Sequence, residues 1–289
     1  MIARILQMPK GSAFLFGPRG TGKSTWVGTV FPSAMHVDLL KESTFTNLLA
    51  HADRLEGMAD AQKATTVIID EVQRLPSVLD EVHRLIEKRK FRFVLTGSSA
   101  RKLKRSSANL LAGRARTLTM HPFTPSELGA RFKLRHAVQY GLLPTVWSAD
   151  DPGDYLRGYV GTYLREEVQQ EALVRSIATF SRFLEAATFS QAQTLNMTKV
   201  AADCGISRKT VESHFALLED LLLAVRLPVF SRKASRKLTT HPKFFFFDAG
   251  VFRALRPRGP LDSDADIDGA SIETLLMQSL RAENDSRAL

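Results

Sequence analysis

Short apolar runs alternate with segments of helical period through the first half of the chain. The runs Ala13 to Phe16, Met35 to Asp38, Thr66 to Asp70, Phe91 to Thr96 and Arg116 to Met120 read as strands, and the first four are rich in residues suited to burial on both faces. Between them apolar residues recur at helical spacing, as at Val78, Val82, Leu85 and Ile86. This alternation predicts an α/β fold, a parallel sheet covered on both faces that takes its ligand at the strands' carboxyl ends. After His121-Pro122-Phe123 the strands give way to helices with short breaks, over 126–132, 154–174 and 177–188.

From about Asn196 the pattern changes again. Thr198 to Val211 holds a short helix, then Gly205, which permits a left-handed turn, then Ser207, a cap that opens a second helix. Val211, Phe215 and Leu218 make a core stripe, so Arg208, Lys209, Thr210 and Ser213 are expected to face outward, where a helix-turn-helix meets a DNA groove. Two further strands, Ala224 to Phe230 and Lys243 to Phe247, flank the basic turn Ser231 to Thr240 in the manner of a wing, with Arg232, Lys233, Arg236 and Lys237 on it. A winged helix used only for packing or protein contact fits the same pattern. The expected domains are a phosphate-binding-loop core over 1–122, a helical region over 123–195, a winged helix over 196–256, and a linker with a further segment over 257–289.

The first strand runs into Gly17-Pro18-Arg19-Gly20-Thr21-Gly22-Lys23-Ser24, followed by Thr25. Glycines at this spacing let backbone N–H groups turn inward around phosphate oxygens, and the helix that begins near Gly22 points its positive end at the same anion. Lys23 is the cation for the β and γ phosphates and Ser24 the hydroxyl for Mg²⁺. The third strand ends in Asp70-Glu71. Asp70 is placed beside the loop as a second partner of the Mg²⁺ site, and Glu71 as the group that polarises an attacking water. The fourth strand ends in small hydroxyl residues, so Thr96 and Ser98 are candidate sensors of the γ-phosphate.

Charge adds a partner class. The formal net charge is +10, and it is unevenly placed: residues 88–126 and 221–247 contain no Asp or Glu. Two such blocks fit a polyanion, with double-stranded DNA the first candidate, although a solvated basic face gives the same count. No apolar stretch approaches the ~20 residues that span a bilayer, which makes the chain soluble and cytoplasmic in expectation, with no membrane partner. The single cysteine, Cys204, excludes an internal disulfide, and the seven histidines have no ligand spacing.

The ordered set of motifs resembles the prokaryotic AAA-type ATPases that carry a C-terminal domain of unknown function. The resemblance runs from about residue 2 to residue 282. It rests on the loop 17–25, on Ile69-Asp70-Glu71-Val72-Gln73, on Leu95-Thr96-Gly97-Ser98-Ser99, on Leu111-Ala112-Gly113-Arg114, on Pro122 to Leu128, and on Lys243 to Gly250. It implies an ATPase core, a helical region, a winged helix and a C-terminal module of nuclease-like fold. It also implies that Arg114 contacts the γ-phosphate, within the chain or across the interface of a homo-oligomer. Gly269 to Leu275 resembles the start of that module, with Glu273 at its first acidic position, but no later strand with an Asp or Glu-x-Lys site follows. Metal-dependent nucleic-acid cleavage is therefore not expected, and the segment from Arg258 onward is expected to be a truncated, poorly anchored tail behind a Gly, Pro and Asp-rich linker over 257–269.

These readings converge on an ATP- and Mg²⁺-dependent protein that hydrolyses nucleotide and associates with DNA. An NTP-driven signalling switch and an ATP-sensing regulator without turnover fit the same motifs. A guanine-reading Asn-Lys-x-Asp motif is absent, which disfavours a GTPase, and the adjacent Asp70-Glu71 pair disfavours a small-molecule kinase.

Overall fold

The computed structural model describes residues 2–99, 101, 103, 110–163, 176–229, 242–260 and 262–287. The chain divides into two compact units, one of Arg4–His121 with Ala282–Leu289, the other of Met1–Ala3 with Pro122–Arg281.

The first unit is built on strands β1 (Ser12–Phe16), β2 (Met35–Asp38), β3 (Thr66–Asp70), β4 (Arg92–Gly97) and β5 (Ala115–Thr119), in the order β2-β3-β4-β1-β5 with every neighbouring pair parallel. Helices α1 (Lys23–Val30), α2 (Glu42–Ala50), α3 (Arg54–Ala61) and α4 (Val78–Arg89) connect the first four strands. Position in the sheet explains the composition of each strand. Every residue of β1 is buried, as is all of β4 after Arg92, because helices and neighbouring strands cover both faces. The edge strand β2 alternates buried Met35 and Val37 with exposed His36 and Asp38, and the opposite edge, β5, exposes Arg116 and Thr117. With β4 between β3 and β1, the pairs Ile69–Leu95 and Phe16–Gly97 set three strand ends side by side. Each end opens into a segment singled out for chemistry.

The second unit is mainly helical. Thr124 opens the helix Pro125–Leu128 with a reciprocal cap: its hydroxyl accepts from the Glu127 N–H (3.2 Å) and its own N–H donates to the Glu127 carboxylate (2.9 Å). The helix expected over 126–132 is thus shorter, and a 3₁₀ turn, Gly129–Arg131, follows where Gly129 takes a φ of 52°. Two short helices, Leu134–Tyr140 and Pro144–Trp147, were not legible as periodic stretches, since Gly141 separates them. Of the helix expected over 154–174, Pro152–Gly158 and a π turn at Tyr159–Tyr163 are described, and the remainder lies outside the described residues.

Further along come helices Ile177–Thr188, Met197–Cys204 and Arg208–Asp220, then Ala249–Leu255 and Asp264–Arg287. Strands β6 (Gln193–Thr194), β7 (Ala224–Leu227) and β8 (Lys243–Phe246) form an antiparallel sheet in the order β6-β8-β7. Gly205, at φ 65°, makes the left-handed turn between Met197–Cys204 and Arg208–Asp220, and the Ser207 hydroxyl accepts from the Thr210 N–H (3.1 Å). A chain of edge-to-face rings, Phe183–Phe215 (4.9 Å), Phe215–Phe244 (4.9 Å) and Phe244–Phe246 (5.1 Å), joins Ile177–Thr188, Arg208–Asp220 and β8 in one core. Such pairs add about 0.5–1.5 kcal/mol each beyond the area they bury.

The expectation of a linker to Gly269 and a poorly anchored tail is corrected. Asp264–Arg287 is one helix, started by the Ser263 hydroxyl accepting from the Asp266 N–H (3.2 Å), with Asp264 and Asp266 in its first turn, where acids suit the helix dipole. Within the second unit Ile267 and Leu275 are buried, the Gln278 amide donates to the Phe123 carbonyl (2.8 Å), and Glu273 pairs with Lys243 (3.0 Å). From Asp264 on, the stretch that read as a linker is a helix start.

Candidate nucleotide-binding site

The loop that leaves β1 has the backbone its glycines predict. At Gly17 the Met120 carbonyl oxygen leaves no room for a Cβ, while Gly20 (φ 82°) and Gly22 (φ 85°) take the left-handed conformation that other residues adopt at a cost. The Thr21 hydroxyl, fully buried, donates to the Pro18 carbonyl (2.8 Å) and braces the turn. Lys23 opens α1, and its ammonium arches back to the Gly17 (2.7 Å) and Pro18 (3.2 Å) carbonyls. Arg19, Ser24 and Thr25 are exposed at the rim.

Across from the loop, Asp70 ends β3 and is gripped from both sides. Ser24 Oγ donates to one carboxylate oxygen (2.6 Å) and Thr96 Oγ1 to the other. Thr96 is fully buried with its hydroxyl bonded to Asp70, so this structure places it as a partner of Asp70 in the sheet. The next residue, Glu71, sits at φ 57°, a left-handed conformation costing roughly 1–2 kcal/mol for a residue with a side chain, and its N–H reaches Thr96 Oγ1 (3.4 Å). Its carboxylate accepts from the Gln73 amide, which also donates to Ser98 Oγ (3.0 Å). Ser98 is therefore joined to Glu71 through Gln73. That link was not evident from sequence; the only hint was a Gln two positions past the acidic pair.

These groups fit Mg·ATP. Left-handed glycines at a helix N-terminus suit phosphate, Lys23 supplies a compact cation, and Ser24 with Asp70 presents the hard oxygen donors that Mg²⁺ takes in small number alongside water and phosphate. Among the described residues no group of three or more His, Cys, Asp or Glu side chains could cage a metal by itself.

Arg114 lies just ahead of the edge strand β5 and forms an ion pair with Glu87 of α4. Its guanidinium holds the Glu87 carboxyl below the usual carboxylate range. On the helix Arg208–Asp220, Arg208, Lys209 and Ser213 are exposed, but Ser213 donates its hydroxyl back to the Lys209 carbonyl (3.0 Å). Thr210 is half-buried, its hydroxyl sharing the cap with Ser207 (2.8 Å). Arg232, Lys233, Arg236 and Lys237 lie outside the described residues.

Residues 10–129 match the family model of an AAA domain, and residues 131–262 match that of a domain of unknown function. Fold, loop and matches together support an AAA-type P-loop nucleotide-binding domain over 10–129, with a second domain of unknown function over 131–262. No curated protein matches the chain. Among solved structures it is similar to a replication initiator DnaA bound to AMPPCP and single-stranded DNA, at 11% identity and a TM-score of 0.34, over 72% of this chain and 82% of that one. A similarity of that size says nothing about ligand or partner. Among the described residues no helix is long and apolar enough to cross a membrane.

Proposed function

We propose that the chain hydrolyses ATP with Mg²⁺ at the loop 17–25 and that a winged helix over 196–256, within its second unit, binds double-stranded DNA. The observation that carries the first half is the Asp70 carboxylate held between Ser24 and Thr96 at the end of β3, with Glu71 next to it and the Lys23 loop opposite. In this reading the loop N–H groups and Lys23 hold the phosphates, and Ser24 and Asp70 hold Mg²⁺, which supplies charge neutralisation at the β and γ phosphates. Glu71 takes the proton of the attacking water, Ser98 reports the γ-phosphate, and Thr96 keeps Asp70 aligned. Arg114 contacts the γ-phosphate of its own or a neighbouring subunit once released from Glu87.

Support for the second half comes from the left-handed turn at Gly205, the capped helix Arg208–Asp220 with Arg208 and Lys209 exposed, and the β7–β8 hairpin that brackets the basic segment 231–240. The commitment of the Thr210 and Ser213 hydroxyls to their own helix favours a second reading, a nucleotide-driven switch whose helix-turn-helix meets protein. ATP turnover measured with and without duplex DNA across a salt series separates the two. Salt-sensitive DNA binding with turnover supports the proposal; turnover with no DNA binding at low salt supports the switch.

A further inference from the structure

Gln73 is a buried polar side chain wedged between the acidic pair and the tip of β4. Its amide nitrogen donates to Glu71 and to Ser98 Oγ (3.0 Å) at once, and its amide oxygen is buried with no hydrogen-bond partner. An apolar side chain of the same size would fill the position without stranding that oxygen, so packing alone does not account for a glutamine there. Gly97 makes room for it. Its φ lies outside the left-handed region, and the nearest atom to a Cβ at Gly97 would be the Gln73 amide oxygen, so a side chain there requires the Gln73 amide to move.

We infer that Gln73 is a positioning residue that fixes the Glu71 carboxylate at the hydrolytic end of the site and couples its orientation to Ser98. The inference rests on the hydrolytic reading of Glu71. Glutamate has three rotatable side-chain bonds, and Glu71 leaves the strand through a left-handed turn, so a hydrogen bond to its carboxylate narrows the orientations open to it. A neutral amide suits that role, because it orients a carboxylate by a hydrogen bond, whereas Lys or Arg would pair off its charge and weaken it as a base. With two N–H groups, one amide can hold Glu71 and sense Ser98 together. A movement of Ser98 toward or away from a phosphate is thereby passed to the base.

The test uses Gln73→Met, which keeps size and removes the amide, and Gly97→Ala, which leaves Gln73 chemically intact and displaces it. In the nucleotide-free chain, the Gln73 side-chain amide signals are assigned in a ¹H–¹⁵N spectrum by their loss in Gln73→Met. They are expected to shift on Ser98→Ala and on Glu71→Gln. For turnover, each of Gln73→Met and Gly97→Ala is expected to lower kcat by about 10- to 100-fold, the scale of a misplaced catalytic group, with Mg·ATP dissociation constants and KM within about twofold of the parent. The double variant is expected to be no slower than the slower single one, since both act on one contact. Amide signals indifferent to Ser98→Ala and Glu71→Gln would overturn the inference, as would an unchanged kcat in Gln73→Met or losses that multiply in the double variant. If the parent chain binds Mg·ATP without turning it over, the hydrolytic reading fails, and the amide signals alone decide whether Gln73 bridges Glu71 and Ser98.

Discussion

Asp70 is the residue on which the nucleotide site turns. Ser24 is 46 positions away and Thr96 is 26, yet both hydroxyls reach its carboxylate, because β4 lies between β1 and β3. The residue types here could be read from sequence, since phosphate and Mg²⁺ chemistry restricts them to Gly, Lys, Ser and acids. Thr96 and Gln73 were a different matter: their roles depend on which strand ends are neighbours, and spacing does not carry that information. Lys23 and Glu71 should separate cleanly on substitution. Lys23→Ala is expected to abolish measurable Mg·ATP binding in a fluorescent-nucleotide titration, because a compact charge at the phosphates is lost. Retained affinity would place the phosphates elsewhere.

At the scale of elements, the least expected device is the clasp at Asp248. One carboxylate oxygen accepts from the Gly250 (2.9 Å) and Val251 (3.1 Å) N–H groups, capping the helix Ala249–Leu255, and the other accepts from the Leu142 N–H (2.8 Å). Gly141 and Gly250 crowd this contact: a Cβ on the first would strike Asp248 and one on the second the Tyr140 carbonyl. Burial pushes the Asp248 carboxyl from its usual 3.8 up to about 6, against the lowering effect of the backbone donors. A raised folded pKa contributes stability that is present below the unfolded value and lost as pH rises through the folded one. The wild type should therefore give up on the order of 3 kcal/mol between about pH 4 and pH 6. Asp248→Asn removes that slope and sets an NH₂ donor against backbone donors, at a cost of about 1–3 kcal/mol. In urea unfolding at pH 4.5 to 7.5, the stability gap between wild type and Asp248→Asn should narrow as pH rises; a gap independent of pH would show that Asp248 is not the titrating group. The helix Asp264–Arg287 gives the complementary lesson. Its apolar positions were visible in sequence, but whether Leu275 had a partner depended on a cluster with Phe123, Leu128 and Leu142, more than a hundred residues upstream.

Across the whole molecule, the linear reading of charge needs the largest revision. The acid-free block 88–126 suggested an uncompensated basic face, yet Arg89 pairs with Glu56 and Asp60, Arg114 pairs with Glu87, and Arg92 donates to the Pro9 and Gly11 carbonyls and lies over the Phe31 ring. Acids distant in sequence neutralise part of the run. In the proposed DNA complex, neutralising the exposed Arg208 or Lys209 is expected to reduce the log–log salt slope of duplex binding by about one unit, while Arg89→Gln leaves it unchanged, since Arg89 is already paired with acids. A slope that responds to Arg89 and ignores Arg208 would move the interface to the first unit. The strand alternation, the phosphate loop and the capped helix pair were readable because each follows from local rules of burial, backbone conformation and capping. Strand order, the Gln73 tether and the Asp248 clasp were not, because each is made by residues that only the fold brings together. The proposed hydrolysis of ATP by this loop and its acidic pair is decided by single-turnover phosphate release from Mg·ATP, with protein in excess of its measured dissociation constant. Wild type is predicted to release phosphate and Glu71→Gln to bind equally well but release it about 10²- to 10⁴-fold more slowly; equal rates in the two, or no release by wild type at saturation, would contradict it.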